Sequence, residues 1–119
     1  MEKLINIQGQ QFYEASIPEL FDFCVDNQCA LIIDENNVKS LISNDIESLK
    51  GRVTQIIIIS DNVASLLQHF IGVNLFIMSA SSIEQAVKFA LHSNTLNKNV
   101  LGVVDGDNPL KTVLEISEE

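Results

Sequence analysis

Val53-Thr54-Gln55-Ile56-Ile57-Ile58-Ile59 runs straight into Ser60-Asp61-Asn62 and then into Val63-Ala64-Ser65-Leu66-Leu67-Gln68-His69-Phe70. The first seven residues are too continuously apolar and β-branched for a strand with one wet face. Runs of this kind belong to parallel strands covered on both sides. After Asn62 the period changes: Val63, Leu66, Leu67, Phe70 and Ile71 recur at helical spacing. Strand, polar corner and helix in that order make the first half of a βαβ unit. Asp61 is read as the helix N-cap, its carboxylate accepting a first-turn N–H. Gly72 ends that helix.

The same alternation continues on both sides. Toward the N-terminus, Ile5 and Ile7 alternate with polar neighbours, Gly9-Gln10 can turn the chain, and Phe12-Tyr13 can pair back as a hairpin. Ser16 begins a capping box with Glu19, with Pro18 in the tolerant first turn. Ile17, Leu20, Phe21, Cys24 and Val25 then mark one face of a helix. Ala30 to Ile33 reads as a buried strand ended by Asp34-Glu35-Asn36-Asn37, and residues 38–50 as interrupted helix, with Asn44 and Glu47 starting a fresh turn and Gly51 ending it. Toward the C-terminus, Val73 to Met78 is a strand. Ser81 or Ser82 caps a helix carrying Ile83, Ala86, Val87, Ala90 and Leu91, and Val100 to Val104 is another buried strand. Asp105-Gly106-Asp107-Asn108-Pro109 is a turn, and Leu110 to Ile116 reads as an edge strand. The expectation is one α/β domain over residues 1–119: a three-layer Rossmann-like structure with a mostly parallel sheet, an N-terminal hairpin and right-handed crossovers.

Composition removes several function classes. A formal charge of −9, with seven scattered Lys and Arg, argues against nucleic acid and against an anionic membrane surface. No apolar run has the length of a membrane span, and the first ten residues do not read as a signal peptide. Cys24 and Cys29 are too far apart for a C-x-x-C half-site; they are expected to pack as small apolar groups in a reducing cytoplasm. His69 and His92 fall in the last turns of their helices, where a cation suits the macrodipole, and they lack metal-ligand spacing.

Ligands of such folds bind beyond the carboxyl ends of the strands. Those ends hold Asp34-Glu35, Ser60-Asp61, Ser79-Ala80-Ser81 and Asp105-Gly106-Asp107. No G-x-G-x-x-G or G-x-x-x-x-G-K-[ST] occurs, so neither a dinucleotide nor a triphosphate cradle is expected. Asp34, Glu35, Asp61 and Ser79 imitate the acids and hydroxyl of a phosphoacceptor receiver domain, which would also hold magnesium. A receiver needs a lysine after its last strand, and Val104-Asp105-Gly106 stands there instead.

In element order, residues 5–104 resemble the C-terminal domain of the Mur ligases, most closely the D-glutamate-adding type. The best-matching segments are Leu49 to Asn62 and Ser82 to Ala90. The family's domain opens on G-V-x-F-N-D-S-K-A-T-N. Against it, on an alignment with one residue inserted after Phe12, Gly9, Phe12 and Ser16 agree. Ala15 stands in place of Asp, Ile17 in place of Lys and Leu20 in place of the final Asn. The family's G-G-x-D-K-G falls on Asp34 to Lys39, with Lys39 one place late, and its closing L-L-S-P-x-x-A-S-F-D has no counterpart. The resemblance implies the fold but not the ligase chemistry, since the lost lysine would sit beside carboxylate or phosphate.

The expected role is therefore non-catalytic binding or regulation toward a protein partner or a small metabolite. No cofactor, metal, catalytic residue, nucleic acid or membrane is expected, and oligomeric state is left open. Candidate ligand contacts at the strand ends are Ser16, Asp34, Lys39, Asp61, Ser79 and Asp105. Two alternatives stand beside this reading: the C-terminal part of a split ATP-dependent peptidoglycan-precursor ligase, and a receiver-like phosphoacceptor.

Overall fold

The strand at Val53–Ile59 is β4, and it lies inside a six-stranded sheet. The computed structural model describes residues 2–7, 9–43, 46–49, 51–68, 76–92, 99–106 and 110–113. The strands are β1 (Glu2–Ile7), β2 (Gln10–Glu14), β3 (Cys29–Asp34), β4, β5 (Phe76–Ala80) and β6 (Asn99–Val103), in the spatial order β1-β2-β6-β3-β4-β5. Among the described residues, only the β1–β2 pair is antiparallel; β2, β6, β3, β4 and β5 run parallel. This is a Rossmann-like α/β sheet with an N-terminal hairpin. Gly9 turns that hairpin at φ +84°, a backbone region that glycine enters without steric cost.

The helices are α1 (Ile17–Cys24), α2 (Glu35–Ile42), α3 (Val63–Leu67) and α4 (Ile83–His92), with a 3₁₀ turn at Ile46–Leu49. The apolar runs in the strands are explained by two cores, one on each face of the sheet. Leu31, Ile33, Ile56, Ile58, Leu101 and Val103 point to one side, where α1, α2 and α3 set Leu20, Cys24, Val38, Leu41 and Leu66. Ala30, Ile32, Ile57 and Val100 point to the other, where Ala86, Val87 and Ala90 of α4 and Leu110 cover them. Each fully buried Ile or Leu contributes about 1.5–3 kcal/mol by leaving water. Gln55, fully buried on β4, sends its amide nitrogen to Met78 Sδ at 3.0 Å.

Local caps fix where the helices begin. Ser16 and Glu19 form the expected capping box. At α4, Ser82 Oγ accepts from Gln85 N at 3.1 Å, while Ser81 Oγ and N donate to Gln85 Oε1. His92 lies in the last turn of α4 as expected.

Four expectations need correction. Asp61 does not cap α3: the N-cap is Asn62, and no side chain caps it. The five-residue helix starts two positions past Asp61, and Ser60 Oγ accepts from Asn62 N at 3.0 Å. The helix expected from residue 38 begins earlier, at Glu35, and the strand expected to end at Ile33 runs one residue further. Asp34 ends β3 and caps α2. β5 runs on to Ala80, held by its pairing with Ile59 and by Ser60 N donating to the Ala80 carbonyl at 3.2 Å. Residues 110–113 are helical, not an edge strand, because Leu110 turns inward against Gly102. The readings placed on Asn44, His69, Gly72 and Val73 lie outside the described residues.

Candidate functional site

The carboxyl ends of β2, β6 and β3 are where this topology would place a ligand. The chain leaves β2 and β3 toward the α1–α2 face, while beyond β6 Leu110 packs on the opposite face. A crevice is therefore expected on either side of β6, at the points where the connections part.

In both crevices a carboxylate of the chain is hydrogen-bonded to the chain's own N–H groups. Between β3 and β6, Asp34 Oδ1 accepts from Asn37 N at 2.9 Å and Asn37 Nδ2 at 2.8 Å. Its Oδ2 accepts from Asp105 N at 2.8 Å, and Asn37 Nδ2 also donates to Asp105 Oδ1 at 3.0 Å. Between β2 and β6, Glu14 Oε1 accepts from Leu110 N at 2.9 Å and Lys111 N at 3.4 Å, and Ala15 N donates to the Gly102 carbonyl at 3.0 Å. Asp34 caps α2 and ties the end of β3 to Asp105 after β6, while Glu14 ties the end of β2 to the helical residues at Leu110 and Lys111. Glu14 was not among the residues singled out from the sequence. Its partners lie 96 and 97 positions away, so no local pattern announces it.

Of the six residues named from the sequence, Asp34 and Asp105 are brought together in this way. Ser16 stands beside the end of β2, where its hydroxyl donates to Glu19 Oε1 at 2.9 Å and accepts from Glu19 N at 3.4 Å. Asp61 is exposed after β4; its neighbour Ser60 donates to Glu35 Oε2 at 3.4 Å. Ser79 lies within β5 and is exposed. Lys39 is exposed in the last turn of α2, the end away from the crevice. Among the described residues, no group of three or more His, Cys, Asp and Glu is placed to hold a metal ion. No helix among them is long and apolar enough to cross a membrane.

The spatial order also separates this sheet from a receiver. Receivers use the flavodoxin-like order 2-1-3-4-5. Here the last of the described strands, β6, lies between β2 and β3. Asp105 thereby meets Asp34 where a phosphoacceptor site needs a lysine.

Among the described residues, concave surface occurs along α1. One cavity of about 620 Å³ is lined by Ile17, Pro18, Phe21, Asp22, Ser40 and Ser43. A second of about 260 Å³ is lined by Phe21, Asp22, Cys24, Val25, Ser48 and Leu49. Val25, 65% exposed, is the large apolar side chain that stands out in water at this end of the helix.

The chain matches no family model and no curated protein.

The caps give a stability test. Asp34→Ala should cost about 1–2 kcal/mol, because α2 loses its cap and Asp105 N–H its acceptor. Asp34→Asn should cost about half of that, since one oxygen remains to serve one of the two sites. Asp61→Ala should stay within about 0.5 kcal/mol of the parent. Urea unfolding of the three variants measures this, and an Asp61→Ala loss equal to that of Asp34→Ala would restore the cap to Asp61.

Proposed function

We propose that this chain is a non-catalytic binding module of the Mur ligase C-terminal type, taking a protein partner or a small metabolite. The observation that carries this reading is that Asp34 and Glu14, on either side of β6, hold backbone N–H groups of the same chain. A ligase domain of this type needs its strand ends open toward nucleotide and the incoming amino acid. Here Asp34 gives both oxygens, and Glu14 its Oε1, to backbone N–H groups of the same chain. The acids at Glu35, Asp61 and Asp105 add negative charge where a phosphate would have to sit. The α1 surface is the more suitable binding face, since Phe21, Pro18 and Val25 offer apolar contact and Asp22, Ser40 and Ser43 offer polar contact beside them.

Calorimetric titration with ATP and magnesium tests the reading. No saturable heat is expected. A dissociation constant of about 10 μM or tighter, equivalent to roughly 7 kcal/mol, would overturn it. Mixing the chain with a Mur ligase that lacks its own C-terminal domain should likewise restore no ADP release; restored release would make the chain a ligase part.

A further inference from the structure

We propose that Cys24 and Cys29 form a thiol–disulfide pair, closed by a small disulfide that reaches Cys24 from the cavity beside α1. Five positions apart in the chain, the two residues do not announce a redox motif. The fold nevertheless brings their sulfurs to 3.8 Å, one at the end of α1 and the other at the start of β3. A disulfide bond is about 2.0 Å long, so the remaining gap is about 1.8 Å, a distance within reach of side-chain rotation.

The turn between them is held at both ends. Asn27 Nδ2 donates to the Phe23 carbonyl at 3.1 Å and Val25 N to the Asp22 carbonyl at 3.4 Å. On the strand side, Gln28 Nε2 donates to the Gly51 carbonyl at 3.0 Å and Cys29 N to the Arg52 carbonyl at 2.9 Å. These contacts keep the two thiols facing each other. Both cysteines are buried, but Cys24, 4% exposed against 0% for Cys29, lines the 260 Å³ cavity with Phe21, Val25, Ser48 and Leu49. An oxidant can thus meet Cys24 first.

The chemistry of the pair agrees with that order. The hydrogen bond from Cys29 holds the Cys24 thiol below its usual range, with help from the Arg52 charge and against the effect of burial. Cys29 is pushed up by donating to Cys24, by burial and by the Cys24 charge. The Cys24 thiolate attacks one sulfur of R–S–S–R, forming Cys24–S–S–R and releasing RS⁻. That step removes the Cys24 charge and the hydrogen bond that held back Cys29. The Cys29 sulfur then attacks Cys24 and expels the second RS⁻. Two protons pass to the two RS⁻, the cysteines lose two electrons, and R–S–S–R is reduced to two RSH.

The test uses the reduced full chain with 2-hydroxyethyl disulfide, quenched with N-ethylmaleimide and read by intact mass. The expected product has lost two hydrogens and takes up no maleimide, and it forms with an equilibrium constant at least about tenfold larger than in the urea-unfolded chain. Cys29→Ser should stop at the mixed disulfide, and Cys24→Ser should react more slowly than Cys29→Ser. A folded parent that keeps two alkylatable thiols, or stops at a mixed disulfide, would overturn the proposal. So would an equilibrium constant no larger than that of the unfolded chain, or equal rates for the two variants.

Discussion

Ile57→Ala and Ile58→Ala should each cost about 2–5 kcal/mol, the range for removing a large aliphatic side chain from a closed core. The two residues are neighbours in β4 and point to opposite faces, Ile58 into the core under α1 and α2 and Ile57 into the core under α4. Both are wholly buried. A strand with one wet face would give an alternating result, one substitution costly and the next nearly silent. Here both should be costly, because helices cover both sides. Urea unfolding with a common m-value measures the two losses. A loss under about 0.5 kcal/mol at either position would mean that its face is not closed. Total stabilities of domains this size lie at about 5–15 kcal/mol, so either change should remove a substantial share.

The second large effect concerns Gly102 and Leu110. Gly102 sits in β6 between Glu14 of β2 and Ile32 of β3, and a Cβ added there would run into the Leu110 side chain. The glycine is required for space, since β6 has to leave room for the segment that crosses over it. Leu110 is wholly buried, and its N–H is held by Glu14. Leu110→Ala should cost about 2–5 kcal/mol through the cavity it leaves. Gly102→Ala should cost about 1–3 kcal/mol through overpacking. The double variant should lose at least about 1 kcal/mol less than the two losses added together, because the new methyl partly fills the cavity. Strict additivity in the same unfolding experiment would show that the two sites do not touch.

The two proposals about activity are read by different experiments. Calorimetry with nucleotide asks whether the strand ends admit a phosphate, and thiol trapping asks whether the α1–β3 turn closes a disulfide. Neither result determines the other.

The parts of this protein that its sequence determined are those set by neighbours in the chain. The unbroken run Val53 to Ile59 required two-sided burial, and helical spacing at Leu20 and Cys24 or at Ala86, Val87 and Ala90 required amphipathic cover. Ser16 with Glu19, a serine cap at Ser81 or Ser82, and Gly9 were legible for the same reason: a cap or a turn is made by residues a few positions apart. Asp61 shows the limit even of local reading, since a shift of one residue in the helix start moved the N-cap to Asn62. The remaining features were decided only by tertiary structure. The place of β6 between β2 and β3 brings Asp34 against Asp105 across 71 positions and Glu14 against Leu110 across 96. No periodicity records strand order, because a buried parallel strand presents the same apolar pattern wherever it sits in the sheet. Leu110 to Ile116 illustrates this: its apolar residues suited an edge strand, yet residues 110–113 are helical, with Leu110 drawn into the space left by Gly102. The cysteine pair was hidden for a related reason. A spacing of five has no motif, and only the turn from α1 into β3 brings the two sulfurs together.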